Sequence, residues 1–464
     1  MSHVAPGTTD HPLEGRVVPR DDVLAALQTW TPHQRWFPAK GTTRTLDRVA
    51  VIDLPGAPEG AEVSVHLLRL PGGGLLQVPV VLREEDGTSR PGVIASLERG
   101  PEGAPNTLVI DGCHDPAFVT AWLAAAEYDS PVLRDLTGMR VLTGEQSNTS
   151  VLLPASSPPS ILKVFRGLSS GPNPDVDVPL ALSHVGWTGV PRPLAWLAGS
   201  WPTAHGTDVG HLGVLSELVL GAHDGFELAC EYARDNHEFG HLAEDLGRTT
   251  AQMHRALREA LPTVSEAVQG VYRPDDGAHA ATLRTVVRTL RERAGAAVDA
   301  TPLLASRAEG IEAVIAAVDG VDRLPPLQRV HGDFHLGQVL RSEVRGWAVL
   351  DFEGEPQAPA HERTRPDLAL RDLAGMLRSI DYAAAVGGAH SPGWAKRARE
   401  GLVRGYRSEA ETGSTGLDQS AADVLLRVLE LDKALYEVVY ESRNRPAWLQ
   451  IPLEAVDRLL SAHG

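Results

Sequence analysis

The sequence of 464 residues is long for a single hydrophobic core, so two or three domains are expected. With 42% apolar and 22% charged residues it has a globular composition, and a net charge of −17 without any Lys/Arg run argues against nucleic acid and anionic membranes as partners. Two cysteines without metal-ligand spacing, a polar N-terminus and no long apolar run predict a cytoplasmic protein with neither export signal nor membrane span.

The N-terminal part predicts a lead segment followed by a β-rich domain. Residues 1–20 are expected to be a disordered lead, and residues 21–108 a domain that begins with a short amphipathic helix at 23–30. Alternating apolar and polar residues predict an antiparallel sheet with strands at 49–52, 62–70, 75–82 and 92–97. The domain contains no catalytic constellation, so we expect it to act as a packing or cap domain.

The rest of the chain changes from strands to helices. Residues 109–219 predict helices and strands in the pattern of a kinase N-lobe, with helices at 115–127 and 175–185 and strands at 140–143, 150–153, 160–165, 193–197 and 212–219. Residues 220–464 predict a helical C-lobe with helices at 238–258, 280–296, 305–318, 367–387, 394–411 and 418–445. This layout is an α+β, bilobal protein-kinase-like fold with an extra N-terminal cap domain.

Two segments of the helical half predict phosphoryl-transfer chemistry. Asp333 follows His-Gly in a tight turn, with the amide Gln338 five residues later, and Asp351 ends an apolar strand. Kinase-type transfer needs one carboxylate that accepts the hydroxyl proton. It also needs an amide oxygen and a second carboxylate that hold metal ions. In protein kinases the amide follows the first carboxylate by the same five residues. We therefore predict Asp333 as the catalytic base and Gln338 and Asp351 as Mg²⁺ ligands. Glu353 is a further ligand, direct or through water, and Glu355 a weaker candidate.

The neighbouring residues of these motifs are expected to support the site. His331 is predicted to stabilise the turn. His335 is placed on the substrate side, where it hydrogen-bonds either Asp333 or the backbone. Asp372 is expected to cap or pair structurally, as acids at helix starts do.

ATP is predicted to bind in the N-lobe. The turn at 143–150, including Ser147 and Asn148, has the small polar residues that direct N–H groups at phosphates. Lys163 lies on the following strand, like the lysine that pairs the α- and β-phosphates in kinases. Asp175 or Asp177, which both open the next helix, could serve as its acidic partner, and both could equally be helix-start acids that the macrodipole favours.

The hinge between the lobes is predicted at residues 216–219. There, Glu217 and Leu218 are expected to bind the adenine of ATP through their backbone groups.

The last long helix predicts a wall for a polyhydroxylated ring. Residues four apart share a helix face, which puts Glu437, Glu441 and Arg445 on one stripe and aromatic residues on the next. Carboxylates at the rim and aromatic faces suit hydrogen bonds and stacking with a sugar. The predicted substrate residues are His335, Tyr436, Glu437, Tyr440, Glu441 and Trp448.

With these motifs the chain resembles the actinobacterial maltokinases and their relatives, which have the aminoglycoside phosphotransferase-like fold. The matching segments are 30–37, 77–83, 331–338, 351–356, 371–379 and 436–446. The resemblance implies a cap domain, an N-lobe and a helical C-lobe, and ATP-dependent phosphorylation of maltose at O1. The product, maltose 1-phosphate, would feed α-glucan synthesis.

Two other functions stay open from the sequence. Glucosamine kinases of the same group share the core motifs and would give glucosamine 6-phosphate. A pseudokinase that binds nucleotide or sugar without turnover belongs to a different class, and the intact set of Lys163, Asp333, Gln338 and Asp351 argues against it. The expected partners are ATP, Mg²⁺ and a small sugar, for a protein that is a monomer or a weak dimer.

Overall fold

The computed structural model describes residues 12–19, 21–38, 45–98, 104–142, 147–262, 276–321, 324–354, 363–410 and 419–461. The chain divides into two compact units. The first unit comprises Met1–Leu180 and Pro191–Leu220, and the second comprises Ala181–Val190 and Gly221–Gly464. No helix among the described residues is both long and apolar enough to cross a membrane.

The first unit is built mainly from strands. Its strands are β1 (Leu13–Glu14), β2 (Asp47–Asp53), β3 (Glu62–Arg69), β4 (Leu75–Glu84), β5 (Val93–Leu97), β6 (Thr107–Asp111), β7 (Glu127–Tyr128), β8 (Arg140–Val141), β9 (Thr149–Leu153), β10 (Ser160–Val164), β11 (Gly167–Leu168), β12 (Pro193–Thr203) and β13 (Gly206–Glu217). Its helices are α1 (Asp22–Trp30), α2 (Pro116–Ala125) and α3 (Pro174–His184), and α3 continues into the second unit.

One sheet of the first unit forms the predicted cap region. Its strand order is β2-β3-β4-β6-β5, all antiparallel, with β11 also paired to β4. Helix α1 begins where the Asp21 carboxylate accepts a hydrogen bond from the Leu24 N–H at 2.8 Å, a typical N-cap. Its apolar face, including Leu27, packs in one core with Leu68 and Val80 of the sheet.

The other sheet has the order β1-β12-β13-β10-β9-β8, with β7 paired to β12. Leu13–Glu14 pairs in parallel with β12, and the Arg16 and Val51 backbones exchange hydrogen bonds of 2.8 Å. Residues 12–19, which we expected in a disordered lead, are therefore ordered, because the edge of β12 offers backbone partners that the local sequence does not reveal. The remainder of the expected lead, 1–11 and 20, lies outside the described residues.

The two sheets of the first unit share one hydrophobic core. Ile52 and Val65 of the first sheet, Trp122 of α2 and Val151 and Leu215 of the second sheet belong to a single buried cluster. The predicted division between cap domain and N-lobe at residues 108 and 109 therefore lies inside one compact unit. As a division of function it stays a prediction.

The second unit is mainly helical, as predicted. Its helices are α4 (Gly225–Arg234), α5 (Gly240–Ala260), α6 (Asp276–Ala300), α7 (Ala308–Ala316), α8 (Leu370–Gly387), α9 (Trp394–Ala410), α10 (Gln419–Asn444) and α11 (Gln450–Ser461). A small sheet with the order β14 (His223–Asp224), β15 (Val339–Ser342) and β16 (Gly346–Val349) lies among them. The α+β class is confirmed.

The segment 181–190 supports the end of β16. The N–H of Val349 donates to the Gly189 carbonyl at 2.8 Å, and Arg345 donates to the Val190 carbonyl at 2.6 Å. Because Val349 lies two residues before Asp351, this short segment helps to fix the strand from which the predicted metal ligand emerges.

Candidate active site

A buried aspartate on α8 holds the loop that carries Asp333. The N–H groups of His331 and Gly332 donate to the two carboxylate oxygens of Asp372 at 2.8 and 2.9 Å, and His254 contacts one of them at 3.1 Å. Burial opposes the charge, but the hydrogen bond from His254 and the nearby histidines hold the pKa of Asp372 below its usual range. Gly332 has φ 89°, which suits glycine at this turn. Asp372 therefore has a structural role, as expected: its carboxylate holds the backbone of the loop.

The same loop is tied to the segment that carries Asp351. His331 donates through Nε2 to the Leu350 carbonyl at 2.8 Å, so it stabilises the loop, as predicted. Gln338 donates through its side-chain amide to an Asp351 carboxylate oxygen at 3.2 Å. Asp351 has φ 64°, in the left-handed region that few residues other than Gly, Asn and Asp adopt.

The predicted metal ligands come together in the second unit. Carboxylate oxygens of Asp351 and Glu353 lie within 4.8 Å of each other, and Gln338 contacts Asp351. An amide oxygen with two carboxylates is the hard-oxygen donor set that Mg²⁺ prefers, so these residues fit the ion. Glu355, the weaker candidate, lies outside the described residues.

Asp333 opens onto a cleft of about 760 Å³ within the second unit. Its carboxylate lies 3.9 Å from Nε2 of His335 and 3.9 Å from Nζ of Lys433. His335 also accepts a hydrogen bond from the Gly337 N–H at 3.1 Å, so both of its predicted alternatives, the carboxylate and the backbone, are close by. Burial lowers the pKa of His335 although Asp333 acts in the opposite direction, which favours a neutral ring at pH 7.

The predicted sugar residues of α10 line this cleft with Asp333. Tyr436 and Tyr440 stack with ring centroids 6.3 Å apart, and Trp448 lies 6.0 Å from the ring of Tyr382. The lining residues are Asp224, Phe226, Glu227, Asp333, His335, Gly337, Gly375, Ser379, Tyr382, Lys433, Tyr436, Glu437, Tyr440, Glu441, Arg445 and Trp448.

Glu437 and Glu441 of α10 form ion pairs within the protein. This corrects the expectation that their carboxylates are free to hydrogen-bond a sugar. Glu441 pairs with Arg445 at 2.6 Å and accepts a hydrogen bond from the Tyr382 hydroxyl at 3.0 Å. Glu437 instead pairs with the buried Arg378 of α8 at 2.8 Å. Burial raises the pKa of Glu437, while Arg378 and Lys433 act against this rise. Both acids reach the cleft, but each is already neutralised in part.

The nucleotide candidates lie in the first unit. Lys163 on β10 forms an ion pair with Asp175, which decides between the two acids that the sequence left open. Asp177, by contrast, has carboxylate oxygens without a hydrogen-bond partner among the described residues. Burial raises the pKa of Asp177 to about 7. The pairing needed the tertiary structure, because both acids lie in the first turn of α3.

The two predicted phosphate-binding residues, Ser147 and Asn148, differ in exposure. Asn148 is buried and accepts a hydrogen bond from the Arg166 N–H at 3.4 Å, whereas Ser147 is exposed. Residues 143–146 of the same turn lie outside the described part of the chain.

At the predicted hinge, both N–H groups are used within the protein. The Glu217 N–H donates to the Arg192 carbonyl at 2.9 Å and the Leu218 N–H to the Pro159 carbonyl at 2.8 Å. If adenine binds here as predicted, these two residues could offer it backbone hydrogen bonds only through their carbonyl oxygens.

Several cleft residues were not found from the sequence. Lys433 lies one turn before Glu437 on the helix that the sequence predicts as the sugar wall, so the spacing along this helix could have indicated it. Glu227 and Tyr382 also line the cleft but come from α4 and α8, and only tertiary packing brings them near α10.

Comparison with known proteins agrees with this architecture. Residues 30–115 match the maltokinase N-terminal cap domain family, and residues 190–412 match the phosphotransferase enzyme family. A glucosamine kinase of Mycolicibacterium smegmatis is 30% identical over 341 residues, which cover 70% of this chain and 80% of the relative. A glucosamine kinase of Streptacidiphilus jiangxiensis is 28% identical over 415 residues, 85% of each chain.

Solved structures show the same fold. A glucosamine kinase in complex with glucosamine, ADP and inorganic phosphate aligns with a TM-score of 0.64 at 23% identity, over 96% of this chain and 100% of its own. A crystal form of a glucosamine kinase aligns with a TM-score of 0.60 at 25% identity, over 90% of this chain and 92% of its own. The predicted aminoglycoside phosphotransferase-like fold with an N-terminal cap is confirmed. The chain belongs to the maltokinase-like sugar kinases, a group that includes the glucosamine kinases, and is an ATP-dependent phosphotransferase.

Proposed function

We propose that the protein is a glucosamine kinase that transfers the γ-phosphoryl group of ATP to O6 and gives glucosamine 6-phosphate. The observation that carries this proposal is the charge of the cleft beside Asp333. Five carboxylates line it against two cations, Lys433 and Arg445; the carboxylates are Asp224, Glu227, Asp333, Glu437 and Glu441. Such a surface favours a sugar with an ammonium group over a neutral one, and the names of the relatives at 28–30% identity support the same choice.

Asp333 is the catalytic base in this proposal. Its carboxylate accepts the proton of the acceptor hydroxyl and orients the oxygen for in-line attack. Asp372 holds the loop, so the base enters the reaction at a fixed position. Gln338, Asp351 and Glu353 would hold Mg²⁺, which neutralises charge on the phosphates when it is bound.

Glu227 is the best candidate for the ammonium of the sugar. It is exposed at the cleft, and among the described residues it has no ion-pair partner, unlike Glu437 and Glu441. When the bound sugar excludes water from this contact, a charge-assisted hydrogen bond of about 1.5–3 kcal/mol gives roughly a 10- to 150-fold preference over glucose.

Maltose is the competing acceptor, and one observation favours it. The stacked rings of Tyr436 and Tyr440, with Trp448 nearby, offer apolar faces, and a cleft of about 760 Å³ has room for two sugar rings. Phosphorylation at O1 would then give maltose 1-phosphate for α-glucan synthesis.

A comparison of sugars separates the two functions. We expect kcat/KM with ATP and Mg²⁺ to be highest for glucosamine, at least tenfold above maltose and glucose, and NMR of the product to show phosphate at O6. A tenfold advantage of maltose would overturn the proposal.

The variant Glu227→Gln tests the ammonium site. It should reduce the preference for glucosamine over glucose, whereas Glu231→Gln, an exposed acid one turn along α4 that does not line the cleft, should not. Equal selectivity in the two variants would remove Glu227 from this role. Glu227→Gln and its control test the ammonium site more directly than Glu437→Gln or Glu441→Gln would. Those two changes would also leave an arginine without its ion-pair partner.

A further inference from the structure

Lys433 lies beside Asp333 but has no role in the reaction as proposed above. Its Nζ lies 3.9 Å from Oδ1 of Asp333 and 5.4 Å from the centre of the Tyr436 ring, and its side chain is 33% exposed. Lys433 also lines the cleft that holds the predicted sugar residues. A cation therefore stands directly beside the proposed base and on the acceptor side.

The distance between the two charges suits a shared oxygen atom. At 3.9 Å, Lys433 is beyond the usual length of a direct hydrogen bond to Asp333, roughly 2.7–3.2 Å. An oxygen that hydrogen-bonds Oδ1 at about 2.7 Å can also lie within about 2.9 Å of Nζ, because these two lengths together exceed the separation. The acceptor hydroxyl, bound to Asp333 before transfer, meets this condition.

We propose that Lys433 is a catalytic residue that contacts the acceptor oxygen and the phosphoryl group it receives. This inference rests on the proposed sugar kinase function. During transfer the acceptor oxygen forms a bond to the γ-phosphorus, and the bond from that phosphorus to the bridging oxygen breaks, with its electron pair leaving on ADP. The hydroxyl proton goes to Asp333, and Lys433 stabilises the negative charge on the new phosphate ester.

The same cation affects how an amino sugar binds. Lys433 repels an ammonium group from the Asp333 end of the cleft, while Glu227 and the acids of α10 attract it elsewhere in the cleft. A hydroxyl, and not the amino group, then faces the base.

The experiment compares Lys433→Met and Lys433→Arg with wild type. For Lys433→Met we expect kcat to fall by about 10²-fold, as for other removed charge stabilisers, and the Kd of glucosamine 6-phosphate, measured by calorimetry, to rise at least about tenfold. The Kd of glucosamine should change less than about threefold, because the charge of the phosphate is present only in the product. Lys433→Arg should restore part of both losses.

Lys396→Met is the matched control. Lys396 is also a helical lysine with an acid four residues on, Glu400, but it is 77% exposed and lies outside the cleft. This variant should match wild type, and thermal unfolding checks that all variants are folded.

Two results would overturn the inference. If Lys433→Met keeps kcat within threefold, Lys433 takes no part in catalysis. If kcat falls but the affinity for the sugar phosphate is unchanged, Lys433 only positions Asp333. If wild type phosphorylates another sugar, the proposed acceptor is wrong, and the same measurements with that sugar and its phosphate still decide the role of Lys433.

Discussion

Asp333 is the residue on which turnover is expected to depend most. Asp333→Asn keeps the size of the side chain but cannot accept the hydroxyl proton, so kcat should fall at least about 10²-fold. Binding of ATP and sugar, measured by calorimetry, and the unfolding temperature should stay close to wild type. Turnover near the wild-type rate would show that another group is the base.

The backbone of Asp351 determines which substitution is informative. At φ 64°, asparagine fits with little strain, whereas alanine adds a cost on the order of 1 kcal/mol. Asp351→Asn and Asp351→Ala should both abolish transfer and weaken MgATP binding, but only the alanine variant should be less stable in urea. Normal MgATP binding in the asparagine variant would contradict the metal assignment.

Asp177 predicts an unusual dependence of stability on pH. Because burial raises its pKa to about 7, the folded state binds this proton more tightly than the unfolded state, in which an ordinary Asp titrates near pH 3.9. Its ionisation therefore destabilises the fold progressively as pH rises from about 4 to 7, by at most about 4 kcal/mol.

Asp177→Asn removes this ionisation. Its gain in free energy of unfolding should be small at pH 4, grow towards pH 7 and then level off, as measured by urea unfolding at several pH values. A gain that does not vary with pH would show that Asp177 titrates normally.

At the scale of elements, α8 supports the catalytic loop through Asp372. Asn at this position can accept through only one oxygen, so one of the loop N–H groups of His331 and Gly332 loses its acceptor. A buried donor without a partner costs about 1–3 kcal/mol, and Asp372→Asn should lower the free energy of unfolding by that amount. We also expect kcat to fall more than the affinity for ATP, because the loop carries the proposed base, Asp333. Unchanged stability and kcat would contradict this support.

The elements differ in how well the sequence predicts them. Long amphipathic helices such as α5 and α8 were predicted to within a few residues, because their apolar stripes are continuous. The sequence does not predict helix α4, because this helix is short and begins with Gly225. It does not predict α11 either, because Pro452 in the first turn reads as a helix breaker although proline is compatible with a helix start.

Motif spacing found the loop and strand residues of the site, Asp333, Gln338 and Asp351, because local geometry fixes their offsets. It could not decide between Asp175 and Asp177, nor find Lys433 or Arg378. Those roles depend on distances between elements that are far apart in the sequence.

At the scale of the whole molecule, each compact unit is built from two separate segments of the chain. The chain passes between them after Leu180, Val190 and Leu220. Lys163 and the other predicted nucleotide residues belong to the first unit, and the proposed acceptor cleft belongs to the second.

The position of residues 181–190 has a practical consequence for dissecting the protein. A fragment cut at Gly221 would omit Gly189, the carbonyl partner of Val349, and leave a buried N–H unpaired two residues before Asp351. We expect such a fragment to unfold at lower urea than one in which 181–190 is retained and joined by a glycine-rich linker to residue 221. Equal stability of the two fragments would show that these ten residues are dispensable for the acceptor half.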